Sequence, residues 1–491
     1  MSEPLETKSE LKVKAIRGVF WSFFETSGAQ FTQFLTFIVL ARLLAPEAFG
    51  LISLANIFIH FIQTLIDLGF SNAIIQRKDI EKGHLDTAFW ANLIIGCLLT
   101  GVGISSSGLI AQFFQQPELA PIIRVLSMNI VLLSLTGTQS AILTRELNFK
   151  GLAARRVMGM VVGSIVGIAM AALNFGVWSL VGQTLVTSLV GCILLWRISE
   201  WRPGIQVSIK YFQDLFSFGI NLVGIGLLVF FSRRIDDFLI GYFLGATALG
   251  YYTVAYKMFT SLMQIVQQST QKVSFTSFSR LQDRPDELRR VLYQGTTLIS
   301  LIGIPAFIGL AVVAPEFVSI FFGERWIPSI VIMQILSLNG VLVTAMSFTG
   351  SLINALGKPV YNLGLLSLST VVRSIAFAIF VQKGIVVIAV VLVVCNYALL
   401  PTNMWALWKL VQVNWIQFFK QIIPSLLASS AMAVVILGFK FVCNPFLDNK
   451  LLFVFSIIIG ILTYGAIVRL ILPNIFQRVA SMIRSALPSK S

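Results

Sequence analysis

Residues 49–75 read FGLISLANIFIHFIQTLIDLGFSNAII, and the physics of this stretch decides the fold. A bilayer core about 30 Å thick needs about 20 mostly apolar residues per helix, which this stretch supplies with a single formal charge, Asp67. A strand in lipid would leave edge N–H and C=O groups unsatisfied, whereas a helix satisfies its own. Within it Asn56, His60, Gln63, Thr64, Asp67 and Ser71 recur at three or four residues, so they share one side. The stretch reads as a membrane-spanning helix with one polar face.

Outward from this helix, similar spans cover nearly the whole chain. They are expected at 17–42, 49–75, 87–111, 121–143, 155–174, 176–196, 213–240, 248–275, 289–314, 328–355, 360–381, 384–407, 420–442 and 450–472. The 491 residues are 56% hydrophobic and 12% charged, with a mean hydropathy of +0.86, outside the range of a water-soluble domain. The expected fold class is an all-α integral membrane protein of about fourteen transmembrane helices, with no room for a large soluble domain. The first span follows the polar start Met1 to Glu10, carries Glu25 and lacks a small-residue cleavage site, so it reads as retained and not as a removable signal peptide. Cys97, Cys192, Cys395 and Cys443 are scattered without metal-like spacing, so neither a metal nor a cofactor is expected.

The basic residues set the orientation. With the N-terminus cytoplasmic, the inner segments hold about 25 Lys and Arg, among them Arg77, Lys78, Arg145, Arg202, Lys358 and Lys409, against about five outside: Arg42, Arg325, Lys383, Lys440 and Lys450. This obeys the positive-inside rule, puts both termini in the cytoplasm and accounts for the net charge of +15 without a nucleic-acid partner.

The chain also repeats itself. At an offset of 200, Leu44–Gly50 aligns with Leu244–Gly250 and Ala55 with Ala255; at 210, Leu126-Ser127-Met128-Asn129 aligns with Leu336-Ser337-Leu338-Asn339; at 208, Gly176-Val177 aligns with Gly384-Ile385. Matches in the same order suggest two six-helix bundles plus two added helices. The expected division is a cytoplasmic segment 1–16, a bundle 17–196, a cytoplasmic linker 197–212, a second bundle 213–407, two further spans within 420–472 and a cytoplasmic tail 473–491. An even number of helices per half makes the repeats parallel, related by an axis along the membrane normal, with a central cleft that can open to each side in turn.

Polar residues inside a membrane are costly and face a protein interior or a wet cavity. Besides the stripe on the second span, Lys257, Ser261, Gln264, Gln268 and Gln271 form one on the eighth, Ser22, Glu25, Ala29, Gln33 and Thr36 one on the first, and Ser217, Asn221, Gly224, Leu228 and Ser232 a fainter one on the seventh. Hydrogen-bonding seams between helices explain Gln and Ser equally well, but gain little from Glu25, Asp67 or Lys257. Gln33, Asn56, His60, Asn221, Gln264 and Gln268 are therefore candidate cavity-lining residues. Arg124, Arg233, Arg234, Lys257 and Arg373 are candidates for holding an anionic head group such as a diphosphate. Glu25, Asp67, Asp236 and Asp237 are candidates for coupling to H+ or Na+, with ion-paired structural roles as the alternative; for Arg233 and Asp237, four residues apart, that alternative is a local pair.

Several segments resemble the oligosaccharide flippases, or polysaccharide transporters, of the multidrug and oligosaccharidyl-lipid exporter superfamily, over nearly the whole chain. They are Ala41-Arg42-Leu43-Leu44 running to Gly50; Leu143-Thr144-Arg145-Glu146-Leu147-Asn148-Phe149-Lys150; Gly176-Val177-Trp178-Ser179-Leu180-Val181; Arg234-Ile235-Asp236-Asp237 leading on to Gly250–Tyr256; and Phe278-Ser279-Arg280-Leu281-Gln282-Asp283. None is a catalytic motif. The resemblance implies two bundles in a V, alternating access, a bacterial cytoplasmic (inner) membrane, and undecaprenyl-diphosphate-linked repeat units as substrate, destined for O-antigen, capsular or exopolysaccharide. Its partners would be that lipid-linked oligosaccharide, membrane lipid, a coupling ion, and a polysaccharide polymerase with a chain-length regulator.

Two transporter alternatives share the fold. A multidrug or cation exporter would favour carboxylates and aromatics in its cavity over the arginines found here, and a lipid II flippase is disfavoured by the motifs alone. A polymerase or ligase would need an extended outer loop with acid-base groups; the longest charged one runs only from about Glu316 to Arg325, so an enzyme is not expected.

Overall fold

Backbone satisfaction in lipid leaves helices as the building element, and the described residues contain helices and no strand. The computed structural model describes residues 28–66, 70–77 and 79–473, with the side chains of 217–223, 225 and 268–276 outside that description. In chain order the helices are α1 (28–43), α2 (Pro46–Ile66), α3 (Phe70–Gln76), α4 (Lys82–Phe113), α5 (Leu119–Ser134), α6 (Gly137–Arg145), α7 (Phe149–Ala172), α8 (Trp178–Ile198) and α9 (Ile209–Arg280). They continue as α10 (Pro285–Phe317), α11 (Pro328–Ala345), α12 (Thr349–Ala355), α13 (Pro359–Phe380), α14 (Ile385–Ala398), α15 (Leu400–Val411), α16 (Trp415–Lys420), α17 (Ile423–Cys443) and α18 (Asn449–Ile471). Twelve helical stretches among the described residues are long and apolar enough to cross a membrane, which makes this a multi-pass membrane protein.

Between the expected spans 213–240 and 248–275 the run α9 is broken at Gly245, whose φ of 83° suits glycine. Other expected spans are divided. Spans 121–143 and 328–355 are each divided by a short turn, at Leu135–Thr136 and at Met346–Phe348. The last span of the second expected bundle divides before Leu400, where Pro401 occupies the first turn of α15 and has no N–H to give. The expected first span enters the described residues only at Gly28.

The chain forms two compact units, Met1–Gly250 and Tyr251–Ser491. In the first, small residues bring helices together: Gly159, Gly163 and Gly167 recur every four residues on α7, and a Cβ on any of them would collide with Thr187 or Gln183 of α8. Lipid supplies no hydrophobic push between helices, so close backbone approach of this kind carries the packing. In the second unit, Gly303 of α10 abuts Thr344 and Gly340 of α11 abuts the Phe307 ring. At the end of α17, Lys440 Nζ donates to Glu316 Oε2 at 2.5 Å and to the Val312 carbonyl at 2.7 Å, tying α17 to α10. Both charges of that pair are largely buried.

Residues that align in the sequence take matching places. Leu126, Ser127 and Asn129 are buried and Met128 exposed, as are Leu336, Ser337 and Asn339 against Leu338. Ser127 and Ser337 each donate to the carbonyl four residues earlier, at 2.7 Å. Gly176 and Gly384 both have positive φ immediately before a new helix. The closest correspondence is a contact: a Cβ on Gly50 would overlap the Ala246 carbonyl, and one on Gly250 would overlap the Pro46 carbonyl. Pro46 aligns with Ala246 and Gly50 with Gly250, so each glycine lies on the carbonyl that is the counterpart of the other's.

Substituting Gly50→Val or Gly250→Val forces these helix starts apart and is expected to cost at least about 2 kcal/mol, the upper range for overpacking. Gly224→Ala, whose Cβ meets open space, is expected to be neutral or slightly stabilising. Thermal unfolding in detergent, followed by retention of the monodisperse peak, checks both.

Candidate functional site

The polar stripe of α2 is the natural starting point. Apolar residues such as Leu51, Leu54, Ala55, Ile59 and Ile62 are buried, while Asn56, His60, Gln63 and Thr64 are half-buried on the other side of the same helix. The face is internally braced. His60 Nδ1 and Gln63 Oε1 are hydrogen-bonded at 2.8 Å, and since an amide oxygen only accepts, Nδ1 carries the hydrogen. The Thr64 hydroxyl donates to the His60 carbonyl at 2.9 Å.

The first part of α9 runs antiparallel to this helix. Thr64 lies against Gly226, the Phe61 and Phe230 rings are 5.5 Å apart, and Leu54 lies against Gly241. This register brings the charged turn of α9 beside the stripe. The Arg234 guanidinium is within electrostatic reach of the His60 ring, and its Nη1 donates to Asp237 Oδ2 at 2.9 Å. Asp236 and Asp237 are 6% and 8% exposed, and the Arg234 side chain stays 34% exposed, so the pair presents its cationic partner and hides its anionic one. Next to it Phe58, Phe113, Phe114, Phe238 and Tyr242 form an aromatic cluster, with Phe114 and Phe238 centroids 5.4 Å apart. Placing a charge at mid-membrane costs about 2.5 to 3.5 kcal/mol on the insertion scale, more than a single interhelical hydrogen bond returns. Pairing with Asp237 and the partial exposure of the guanidinium lower the cost of carrying these charges in a membrane-spanning helix.

The expected site residues thus divide. The structure brings His60, Arg234, Asp236 and Asp237 together, with Asn56 on the same face of α2. The local pair takes Arg234, three residues from Asp237, while Arg233 is exposed and makes no hydrogen bond or ion pair among the described residues. Arg124 sits on another pair of helices, where its Nε donates to Ser107 Oγ at 2.9 Å. Gln33 is exposed on α1. Lys257 and Arg373 belong to the second unit; Lys257 is half-buried on α9, and Arg373 Nε donates to the Ser369 carbonyl of its own helix at 3.1 Å. Gln264 is exposed about two turns beyond Lys257. Glu25 and Asp67 lie outside the described residues, and the side chains of Asn221 and Gln268 do as well.

Sequence reasoning missed a polar collar where the expected linker meets α4. Buried Asp86 accepts from the Gly204 and Gln206 amides at 2.9 and 3.3 Å, and Trp90 Nε1 donates to the Gly204 carbonyl at 2.8 Å. Arg77 pairs with Asp214 at 3.2 Å, and Arg202 donates to the Trp196 carbonyl at 2.8 Å. Tyr211 donates to Glu81 at 2.7 Å, and that carboxylate pushes the phenol above its ordinary range. The available signal was Asp86 itself, one carboxylate at the edge of an apolar span, followed four residues on by a Trp with one N–H to place.

The helices adopt a fold shared with MurJ and MATE family structures. The chain aligns with a structure described as "Lipid II flippase MurJ, inward closed conformation" at a TM-score of 0.74, 15% identity, 94% of this chain and 99% of that one. It aligns with an inward-facing multidrug resistance MATE family transporter at 0.59 and 18% identity, over 78% of this chain and 94% of that one. Residues 39–331 match the family described as "Polysaccharide biosynthesis protein", and the chain belongs to that family. Its relatives include the teichuronic acid biosynthesis protein TuaB of Bacillus subtilis, 27% identical over 91% of this chain and 93% of that protein. The lipopolysaccharide biosynthesis protein WzxC of Escherichia coli is also 27% identical, over 87% and 89%. The probable low-salt glycan biosynthesis flippase Agl15 of Haloferax volcanii is 25% identical, over 90% and 93%.

A double-mutant cycle tests the pair at the centre of the site. Arg234→Gln and Asp237→Asn are expected to couple by about 1 to 3 kcal/mol in thermal stability, between the values for exposed and buried pairs. Additivity within about 0.5 kcal/mol would remove the pair as a structural element.

Proposed function

We propose that this protein flips undecaprenyl-diphosphate-linked oligosaccharide repeat units from the inner to the outer leaflet of a bacterial cytoplasmic membrane by alternating access, for export of O-antigen, capsular or exopolysaccharide. The observation that carries the reading is Arg234, a guanidinium held in a membrane-spanning helix and left partly uncovered beside the polar face of α2. Arginine binds diphosphate oxygens in paired, charge-assisted hydrogen bonds, so a cation presented at this depth suits an anionic head group. Family membership and relatives named for teichuronic acid, lipopolysaccharide and succinoglycan biosynthesis support the same substrate class. In this reading the protein is not an enzyme; both termini are cytoplasmic, and the polymerase and chain-length regulator act downstream.

Arg233, Lys257, Arg373 and Arg124 are proposed as further head-group contacts at successive stages, with Gln33, Asn56, His60, Asn221, Gln264 and Gln268 lining the path. Glu25 and Asp67 are proposed to couple the cycle to H+ or Na+, with Asp236 and Asp237 as secondary candidates. A cation exporter of the same fold is disfavoured because the Asp237 carboxylate is already engaged by Arg234.

Proteoliposomes holding a fluorescent undecaprenyl-diphosphate oligosaccharide test this. The parent is expected to move label between leaflets, and Arg234→Gln with Lys257→Gln to lower the rate at least about ten-fold, the equivalent of one lost charge-assisted contact. Glu25→Gln or Asp67→Asn should abolish stimulation by an imposed proton or sodium gradient. Movement of an organic cation with no movement of the lipid would replace this reading with the exporter.

A further inference from the structure

Between Glu324 and Asp448 the sequence contains no Asp or Glu, yet Arg325, Lys358, Arg373, Lys383, Lys409, Lys420 and Lys440 fall there. Lys440 finds its anion in Glu316. Lys409 does not find one. Among the described residues it makes no ion pair, and its Nζ instead lies 4.9 Å from the Trp405 ring centroid and 5.5 Å from that of Tyr361. Those two rings are 6.4 Å apart and inclined at 38°, so both face the one ammonium. Cation–π contact holds the lysine in place without cancelling its charge.

Directly beside this cation an open groove of about 510 Å³ runs between α13 and α15. Its walls are Tyr361, Gly364, Leu365, Leu368, Pro401 and Trp405, almost wholly apolar. A Cβ on Gly364 would meet nothing within 4 Å, so the glycine leaves the floor free, and Leu368 is itself exposed. Trp405 and Trp408 are 46% and 55% exposed, and Trp415 is exposed close by in the chain. Exposed tryptophans grouped with lysines mark the level of lipid head groups, where an indole sits half in the apolar layer. Exposed Lys358 at the start of α13 adds a second positive charge near the same end of the groove.

We propose that the groove between α13 and α15 binds an anionic glycerophospholipid, its phosphate beside Lys409 and one acyl chain against Gly364 and Leu368. In the orientation proposed above, the lipid comes from the cytoplasmic leaflet. A lysine that only snorkels to water would need neither the two-ring seat nor the apolar groove beneath it. Among the described residues no carboxylate forms an ion pair with Lys409, and the acidic group near the end of α15, Asp286, is taken by Arg289. This site lies in the second compact unit, apart from the Arg234 cluster of the first, and does not depend on what the protein transports.

Native mass spectrometry of the full chain in detergent, with equal amounts of phosphatidylglycerol and phosphatidylcholine of identical acyl chains, tests the proposal. The parent is expected to retain phosphatidylglycerol preferentially, Lys409→Gln to lower that preference at least about five-fold, and Trp405→Ala to lower total retained lipid. Lys383→Gln removes a lysine seated 5.2 Å from the Phe380 ring at the other end of α13 and should leave the preference unchanged. No preference in the parent, or an equal fall in Lys383→Gln, would overturn the site. Preferential retention of undecaprenyl phosphate over phosphatidylglycerol, abolished by Lys409→Gln, would overturn its proposed occupant.

Discussion

A charge inside a lipid-solvated helix has to be paired, hydrated or both, and the Arg234–Asp237 contact on α9 is where this chain meets that requirement. The carboxylate is turned inward and the guanidinium outward, so the pair has a net direction. Helix α2 answers with its own asymmetry, apolar residues packed on one side and Asn56, His60, Gln63 and Thr64 half-covered on the other. Without pairing, each charge on α9 would cost more than the packing of that turn returns; without water or a ligand, the guanidinium would lack enough acceptors for its five N–H groups. The site follows from solvation before any substrate is considered.

The close approach of helices serves that arrangement. At the starts of the second span and of its repeat mate, Gly50 and Gly250 each rest on the other's counterpart carbonyl, and neither position has room for a methyl group. Contacts of this kind give helices a fixed register without polar glue, which leaves the polar residues of α2 and α9 available for other partners. The same economy appears in α7 and α8, where three glycines at four-residue spacing face Thr187 and Gln183.

Much of this was legible in the sequence, because lipid imposes simple rules. Apolar length predicts the spans, the distribution of lysine and arginine suggests an orientation, and the three-to-four-residue period of Asn56, His60 and Gln63 announces a shared face. What was not legible depends on tertiary detail. Arg233 and Arg234 are equally suited to reach Asp237 by spacing, and side-chain geometry selects Arg234. Asp86 acquires its role only when residues 204–206 fold back onto α4, and Arg202 is spent on backbone carbonyls as much as on topology. The break at Gly245 falls in the gap 241–247 between the seventh and eighth expected spans, although its positive φ has no signature in composition.

The central claim is that the polar face of α2 meets water within the membrane. In a chain lacking Cys97, Cys192, Cys395 and Cys443, single cysteines at Asn56 and Gln63, with Leu54 and Ile59 as buried comparisons, can be treated with a membrane-impermeant thiol reagent from each side. The account predicts that the first two react, from at least one side, and the second two do not. Cysteines at Asn56 and Gln63 that stay as unreactive as those at Leu54 and Ile59 would contradict it.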